Sequence, residues 1–234
     1  MGYRKQGIYE KYFKRLLDII CSCAGIMMFS WLYLIIAILV KIKLGSPVLF
    51  KQPRPSKDEK IFYIYKFRSM TNEKDENGNL LPDERRLTPF GRWLRESSLD
   101  ELPELFSIIK GDMGFCGPRP LLVRDMTFMT EKYRKRHNVR PGLTGLAQVN
   151  GRNDIDWEDK LNYDIEYVDN ITFLGDMKII LQTVLKVFKH EGITEEGMAT
   201  AADYGDYLLN KEVVSKSEYD LKQEEAKNIL SMLK

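Results

Sequence analysis

Histidine is nearly absent from this chain of 234 residues, which has only His137 and His190. A His-based zinc centre or a Ser-His-Asp triad therefore has little material to work with. Cysteine is scarce too: Cys21 and Cys23 lie in an apolar run, and Cys116 in a Gly-rich loop. Three such contexts make no disulfide framework, and a reducing, cytoplasmic setting suits them better. The net charge of +2 is too small for a general nucleic-acid binder, so no nucleic-acid partner is expected. Internal repeats are lacking as well.

What is present suits a folded protein. The apolar fraction is 44% and the charged fraction 30%. The length allows one domain with appendages, or two small ones. Charge is unevenly spread: residues 1–60 carry a net +7, and residues 191–234 a net −5. A basic segment beside an apolar run implies contact with anionic lipid headgroups, or flanks that orient a membrane helix.

That run, Ile19 to Val40, holds 22 residues without a charge. About 20 apolar residues are enough to cross a bilayer core. It is too long for a signal-peptide core and lacks a small-residue cleavage site, so a retained membrane segment is expected. Arg4, Lys5, Lys11, Lys14 and Arg15 precede it, and Lys41, Lys43, Lys51, Arg54 and Lys57 follow it. A spanning helix would export one basic flank. A helix that breaks, dips into one leaflet and returns keeps both on the cytoplasmic side. Gly25 and Ser30–Trp31 are the expected places for the break. Asp18, at the edge of the run, is expected to pair with Lys14 or Arg15 at helical spacing.

Beyond the run, Pro47–Lys51 and Ile61–Arg68 read as short strands joined by the turn-rich QPRPSKDE. Residues 72–86 read as an exposed loop with a turn at Asn77–Gly78. Helices are expected over Leu99–Ile109 and Leu121–His137. Gly-rich loops are expected at Gly111–Pro120 and Arg140–Asn153. Trp157, Leu161, Ile165 and Val168 fall at helical spacing, as do Met177, Ile180, Leu181, Val184 and Phe188. Both stripes read as core-facing. The acidic tail ends in a surface helix over Ser217–Leu233.

Three segments carry candidate chemistry. In the first, Ser98-x-x-Glu101 is a capping-box pattern, and acids in a first helical turn complement the helix dipole. Pro103 argues against a plain helix start, because it falls past the first turn and removes a hydrogen bond. An aspartate such as Asp100 can attack phosphorus, and a neighbouring acid can hold Mg²⁺. The second is a scattered cationic set: Lys66, Arg68, Arg119, Arg140 and Arg152, with Gly117, Gly142, Gly145 and Gly151. Backbone N–H groups at glycines and guanidinium forks suit a diphosphate. The third is Asp154-Ile-Asp156, a D-x-D pair that can chelate a nucleotide-sugar's metal, although WEDKL after it reads as an N-capped helix.

Taken together, KRLLDII, GSPVLFKQPRP, IYKFRSM, SLDELPELFSIIKGDMGFCGPRPLL and RHNVRPGLTGLAQVNGRN strongly resemble the bacterial sugar transferase family, the monotopic phosphoglycosyl transferases. The resemblance runs from about Tyr9 to Met198. It implies a helix-rich α+β fold with three parts: a re-entrant membrane helix (1–45), a compact cytoplasmic catalytic domain with a small β element (46–198), and an acidic C-terminal extension (199–234). Ser30–Trp31 stand where similar proteins often carry Ser-Pro.

The resemblance further implies transfer of a sugar-1-phosphate from a UDP-sugar to a polyprenyl (undecaprenyl) phosphate, through a phosphosugar-enzyme intermediate and with release of UMP. Asp100 matches the family's nucleophile and Glu101 its acidic partner, with Mg²⁺ held at this pair. Lys66, Arg95, Arg119 and Arg152 match phosphate and nucleotide contacts. The expected setting is the cytoplasmic face of a bacterial inner membrane, with downstream glycosyltransferases as partners. A glycosyltransferase that uses Asp154 and Asp156 and releases UDP is the alternative enzyme. A non-catalytic assembly anchor is the alternative outside enzymes.

Overall fold

The computed structural model describes residues 6–151, 155–189 and 203–233. Arg4, Lys5, Arg152, Asp154 and His190 lie outside the described residues.

The chain is helical from Tyr9, and α1 runs from Lys14 to Leu44. A hairpin follows, with β1 (Leu49–Pro55) antiparallel to β2 (Ile61–Phe67). Next come α2 (Asp83–Arg86), α3 (Pro89–Glu96) and α4 (Glu104–Lys110). β3 (Gly114–Cys116) precedes α5 (Val123–Thr127) and α6 (Glu131–Arg134). β4 (Gly142–Thr144), parallel to β3, leads to α7 (Leu146–Asn150), α8 (Trp157–Asp169) and α9 (Phe173–Lys189). The C-terminal segment forms α10 (Tyr204–Asn210) and α11 (Lys216–Ser231). The fold is thus helix-rich α+β, as expected.

α1 is one unbroken helix, about 46 Å long at 1.5 Å per residue. The break expected at Gly25 or Ser30–Trp31 is not there. Neither residue removes a backbone hydrogen bond as proline would. Gly25 serves packing instead: a Cβ there would lie 3.2 Å from Leu105 Cδ1. One face of α1 rests on the rest of the fold near both of its ends. Near its start, Arg15 donates to the carbonyls of Ile108 (2.5 Å) and Ile109 (2.8 Å). Near its end, Ile36 and Val40 pack with Phe67 and Leu94. The opposite face leaves Leu16, Ile20, Met27, Trp31, Leu34, Ile38 and Ile42 exposed.

Asp18 does not make the expected ion pair. Its carboxylate accepts from the Phe115 backbone N–H at 3.2 Å. Lys14 pairs with Asp176 of α9, which also accepts from the hydroxyls of Tyr9 and Tyr167. These contacts fasten the head of α1 to α9.

Four further expectations need correction. β1 runs on through Pro53 and Pro55, because a two-stranded sheet has only edge strands and alternate missing N–H groups can face its open side. The helix expected over 99–109 is a single 3₁₀ turn, Leu99–Glu101, then Pro103 and α4. The helix expected over 121–137 breaks at Thr130, whose backbone is extended. The α8 stripe faces the core as expected, with Leu161 and Val168 buried. The α9 stripe does not: Asp176 and Ile179 are buried, while Met177, Leu181 and Val184 are exposed along with Leu174 and Leu185.

Candidate active site

The turn carrying Asp100 follows from local chemistry. Thr88 caps α3 by accepting from the Gly91 N–H at 3.1 Å. Gly91 is required there, since a Cβ would collide with the Ser69 carbonyl. After α3, Ser98 takes a left-handed conformation (φ 54) and makes no side-chain cap. Its N–H donates to Arg95 O at 2.9 Å, so the capping box does not form. Leu99 and Leu102 pack beside Ile36, Val40, Phe67 and Leu94. Asp100 lies between these leucines and is 8% exposed. The Tyr33 hydroxyl of α1 donates to Leu102 O at 2.6 Å.

Glu101 is freed from capping and joins a charge cluster. Its Oε1 accepts from Lys66 Nζ at 2.6 Å and from Arg119 Nη2 at 2.9 Å. Lys66 comes from β2, and Arg119 from the loop after β3. Glu104 also meets this lysine, with Oε1 3.1 Å from Nζ, although no aligned hydrogen bond forms there. The Arg119 loop is fixed from behind: Arg136 donates to Arg119 O at 2.6 Å and to Asp164 Oδ2 of α8 at 2.7 and 2.9 Å. Arg95 donates to Ser69 Oγ at 2.8 Å. It lies near enough to Asp100 for each charge to bear on the other.

Burial sets the electrostatics. It pushes the Asp100 carboxyl up to about 6, helped by the Glu101 charge and opposed by Lys66, Arg95 and Arg119. Burial also pushes Glu104 up to about 7, opposed by Lys66. For Glu101 burial acts in the same sense, but Lys66 and Arg119 outweigh it and hold the carboxyl below its usual range. The Glu101 charge raises the Arg119 guanidinium further, against its burial. Adjacent carboxylates driven apart by burial and by specific charge partners make this cluster a functional-site candidate.

The structure thus brings Asp100, Glu101, Lys66, Arg95 and Arg119 into one cluster, while Arg152 lies outside the described residues. Other expected phosphate contacts serve the fold. Arg68 donates to Leu44 O and Ser46 O at the end of α1. Arg140 donates to Gly111 O. Gly117, Gly142 and Gly145 lie so close to one another's backbones that none has room for a Cβ. They allow the two loops to pack closely. Asp156 stands at the N-cap position of α8 without a side-chain cap, and Asp154 lies outside the described residues. Glu104 and the Arg136–Asp164 pair were not singled out from sequence. Glu104's spacing, four residues after Asp100 and across Pro103, was the available signal.

Among the described residues, no group of three or more His, Cys, Asp or Glu side chains is placed to hold a metal alone. Mg²⁺ does not need one. It is commonly held by one or two carboxylates plus substrate phosphates and water. The hard oxygens of Asp100 and Glu101 fit that donor set.

Residues 9–190 match the family model described as bacterial sugar transferase. The chain is 50% identical over 188 residues to the uncharacterized sugar transferase EpsL of Bacillus subtilis, covering 80% of this chain and 93% of that protein. It is 40% identical over 186 residues to a UDP-glucose:undecaprenyl-phosphate glucose-1-phosphate transferase of Klebsiella pneumoniae, covering 75% of this chain and 40% of that one. It is 33% identical over 200 residues to an undecaprenyl-phosphate galactose phosphotransferase of Salmonella typhimurium, covering 78% and 42%. The chain thus spans nearly all of the first relative and about two-fifths of the other two.

Proposed function

Because this chain belongs to the bacterial sugar transferase family, we propose that it moves a sugar-1-phosphate from a UDP-sugar onto undecaprenyl phosphate and releases UMP. One observation carries this reading. Buried Asp100 and half-buried Glu101 are ringed by Lys66, Arg95 and Arg119, and the turn that carries them is bonded through the Leu102 carbonyl to the apolar helix α1. A soluble donor and a lipid acceptor must meet at headgroup level, and acids held beside an apolar helix support such a site. The printed activities of the Klebsiella and Salmonella relatives support the same substrate pair.

In the first step an Asp100 oxygen attacks the sugar-bearing phosphorus. The bond from that phosphorus to the bridging oxygen breaks, and UMP leaves with the electron pair. Lys66 and Arg119 face the charge that develops on the phosphoryl oxygens, which is the main way a protein speeds phosphoryl transfer. In the second step a phosphate oxygen of the acceptor attacks the same phosphorus. The Asp100–phosphorus bond breaks, restoring the carboxylate and giving an undecaprenyl-diphosphate sugar. Mg²⁺, held by Asp100 and Glu101, would neutralise charge on the diphosphate.

The same reading places the chain on the cytoplasmic face of a bacterial inner membrane. Tyr9–Leu44 is long and apolar enough to cross a bilayer. Yet both ends of α1 are bonded to one domain, which supports a helix whose basic flanks share one side. α9 extends the apolar surface: its exposed stripe is bordered by Lys178, and Phe173 meets Tyr9 edge-on at 5.6 Å. An apolar face edged with lysine suits the headgroup boundary. Glycosyltransferases that extend the lipid-linked sugar are the expected downstream partners.

The test is to incubate the chain with undecaprenyl phosphate and a panel of UDP-sugars, and to identify the nucleotide released. UMP is expected. UDP would instead indicate glycosyl transfer, and no nucleotide a non-catalytic anchor.

A further inference from the structure

Lys66 stands between two carboxylates that use it differently. Glu101 Oε1 takes a short hydrogen bond from it at 2.6 Å and a second bond from Arg119. Glu104 Oε1 lies 3.1 Å from the same ammonium. It is buried, and has no aligned hydrogen-bond partner among the described residues. One acid is engaged and the other is held in reserve.

Helix geometry does not explain Glu104. An acid in a first turn complements the dipole from the surface, but Glu104 is only 3% exposed. A buried carboxylate needs a cation or a hydrogen bond nearby. Lys66 is the ion-pair partner within reach, and Glu101 claims it first.

The arrangement has a use once an anionic donor arrives. Each phosphate oxygen that takes a hydrogen bond from Lys66 competes with Glu101 for it. An ammonium that loosens its bond to Glu101 without a second carboxylate beside it would have no fixed position from which to meet the phosphate. We propose that Glu104 is a positioning residue, which holds Lys66 in place at the cluster while Glu101 yields its bond from Lys66 to the incoming diphosphate. This rests on the reading of the donor as a UDP-sugar. It assigns Glu104 no contact with the reacting atoms.

The consequence is a split between binding and turnover. Glu104→Gln keeps the side chain's size but removes its charge. The site then becomes no less attractive to a diphosphate, yet the lysine is less well placed. Misplacing a catalytic group by about 1 Å can cost up to about 100-fold in rate. The experiment measures UMP release by the full chain with undecaprenyl phosphate, UDP affinity by calorimetry, and thermal unfolding. For Glu104→Gln, kcat is expected to fall about tenfold, with UDP affinity and unfolding temperature unchanged. Glu104→Asp, which restores the charge on a shorter arm, should recover part of the loss. Wild-type kcat in Glu104→Gln would overturn the proposal. So would a loss that tracks a lowered unfolding temperature and is not relieved in Glu104→Asp. Absence of UMP from the unaltered chain would overturn this proposal and the functional reading together. Normal wild-type turnover with an unaffected Glu104→Gln variant would overturn the proposal alone.

Discussion

The Tyr33 hydroxyl donates to the carbonyl of Leu102 at 2.6 Å. The long apolar helix is therefore bonded directly to the turn that carries Asp100. Tyr33 also meets Phe106 of α4 edge-on at 5.8 Å, a second contact between the helix and the elements of the site. Tyr33→Phe keeps the ring contact and loses the bond, at a cost of about 1 kcal/mol. Thermal unfolding should show that loss. UMP release should fall several-fold while vesicle binding stays constant. Unchanged turnover would separate the helix from the site.

The exposed stripe on α9 predicts a second membrane contact. Leu181 and Leu185 are 61% and 52% exposed, so charging them should leave the fold intact. Leu181→Glu with Leu185→Glu should weaken flotation with anionic lipid vesicles by at least about a hundredfold, as expected for losing the burial of two leucines. Undiminished flotation would mean that α1 alone makes the membrane contact.

Arg136 and Asp164 form a buried pair behind the Arg119 loop. Removing one member of such a pair leaves an uncompensated charge and costs about 3–5 kcal/mol. Arg136→Ala should lose about that much in denaturant unfolding and also lower turnover through a loosened Arg119. A change below about 1 kcal/mol would show that the pair is dispensable.

His137 gives a pH dependence of known sign. Burial lowers its pKa from the ordinary value, while Glu59 opposes from 3.5 Å and Arg136 and Arg134 add to the lowering. Because the folded-state value is depressed, the contribution is complete above the ordinary histidine pKa. It is lost as the pH falls through the folded-state value. Neither ring nitrogen has a hydrogen bond among the described residues, so an apolar ring gives up little there. The unfolding temperature of His137→Phe should fall less than that of the native chain between about pH 7 and about pH 5. Parallel curves would remove His137 from the acid response.

Much of the site was legible in the sequence, for reasons that can be traced. Pro103 signalled that Asp100 and Glu101 do not start an ordinary helix, and the 3₁₀ turn before α4 bears that out. Lys66 and Arg119 do meet Glu101. Glu104 was missed because its burial depends on β2 folding over the start of α4, which local spacing does not encode. The α9 stripe was misread because helical periodicity shows that a face is apolar, not what covers it. The close approach of the Gly117 and Gly142 backbones was not legible, because it is a contact between segments distant in sequence.

The central claim is that Asp100 becomes covalently bonded to the phosphosugar. The most direct measurement is intact-mass and peptide analysis of the chain after incubation with Mg²⁺ and its UDP-sugar, with undecaprenyl phosphate withheld. The account predicts a phosphosugar adduct on Asp100, UMP released in equal amount, and neither product in Asp100→Asn. UMP that forms only when the lipid acceptor is present, with no adduct on the protein, would contradict it.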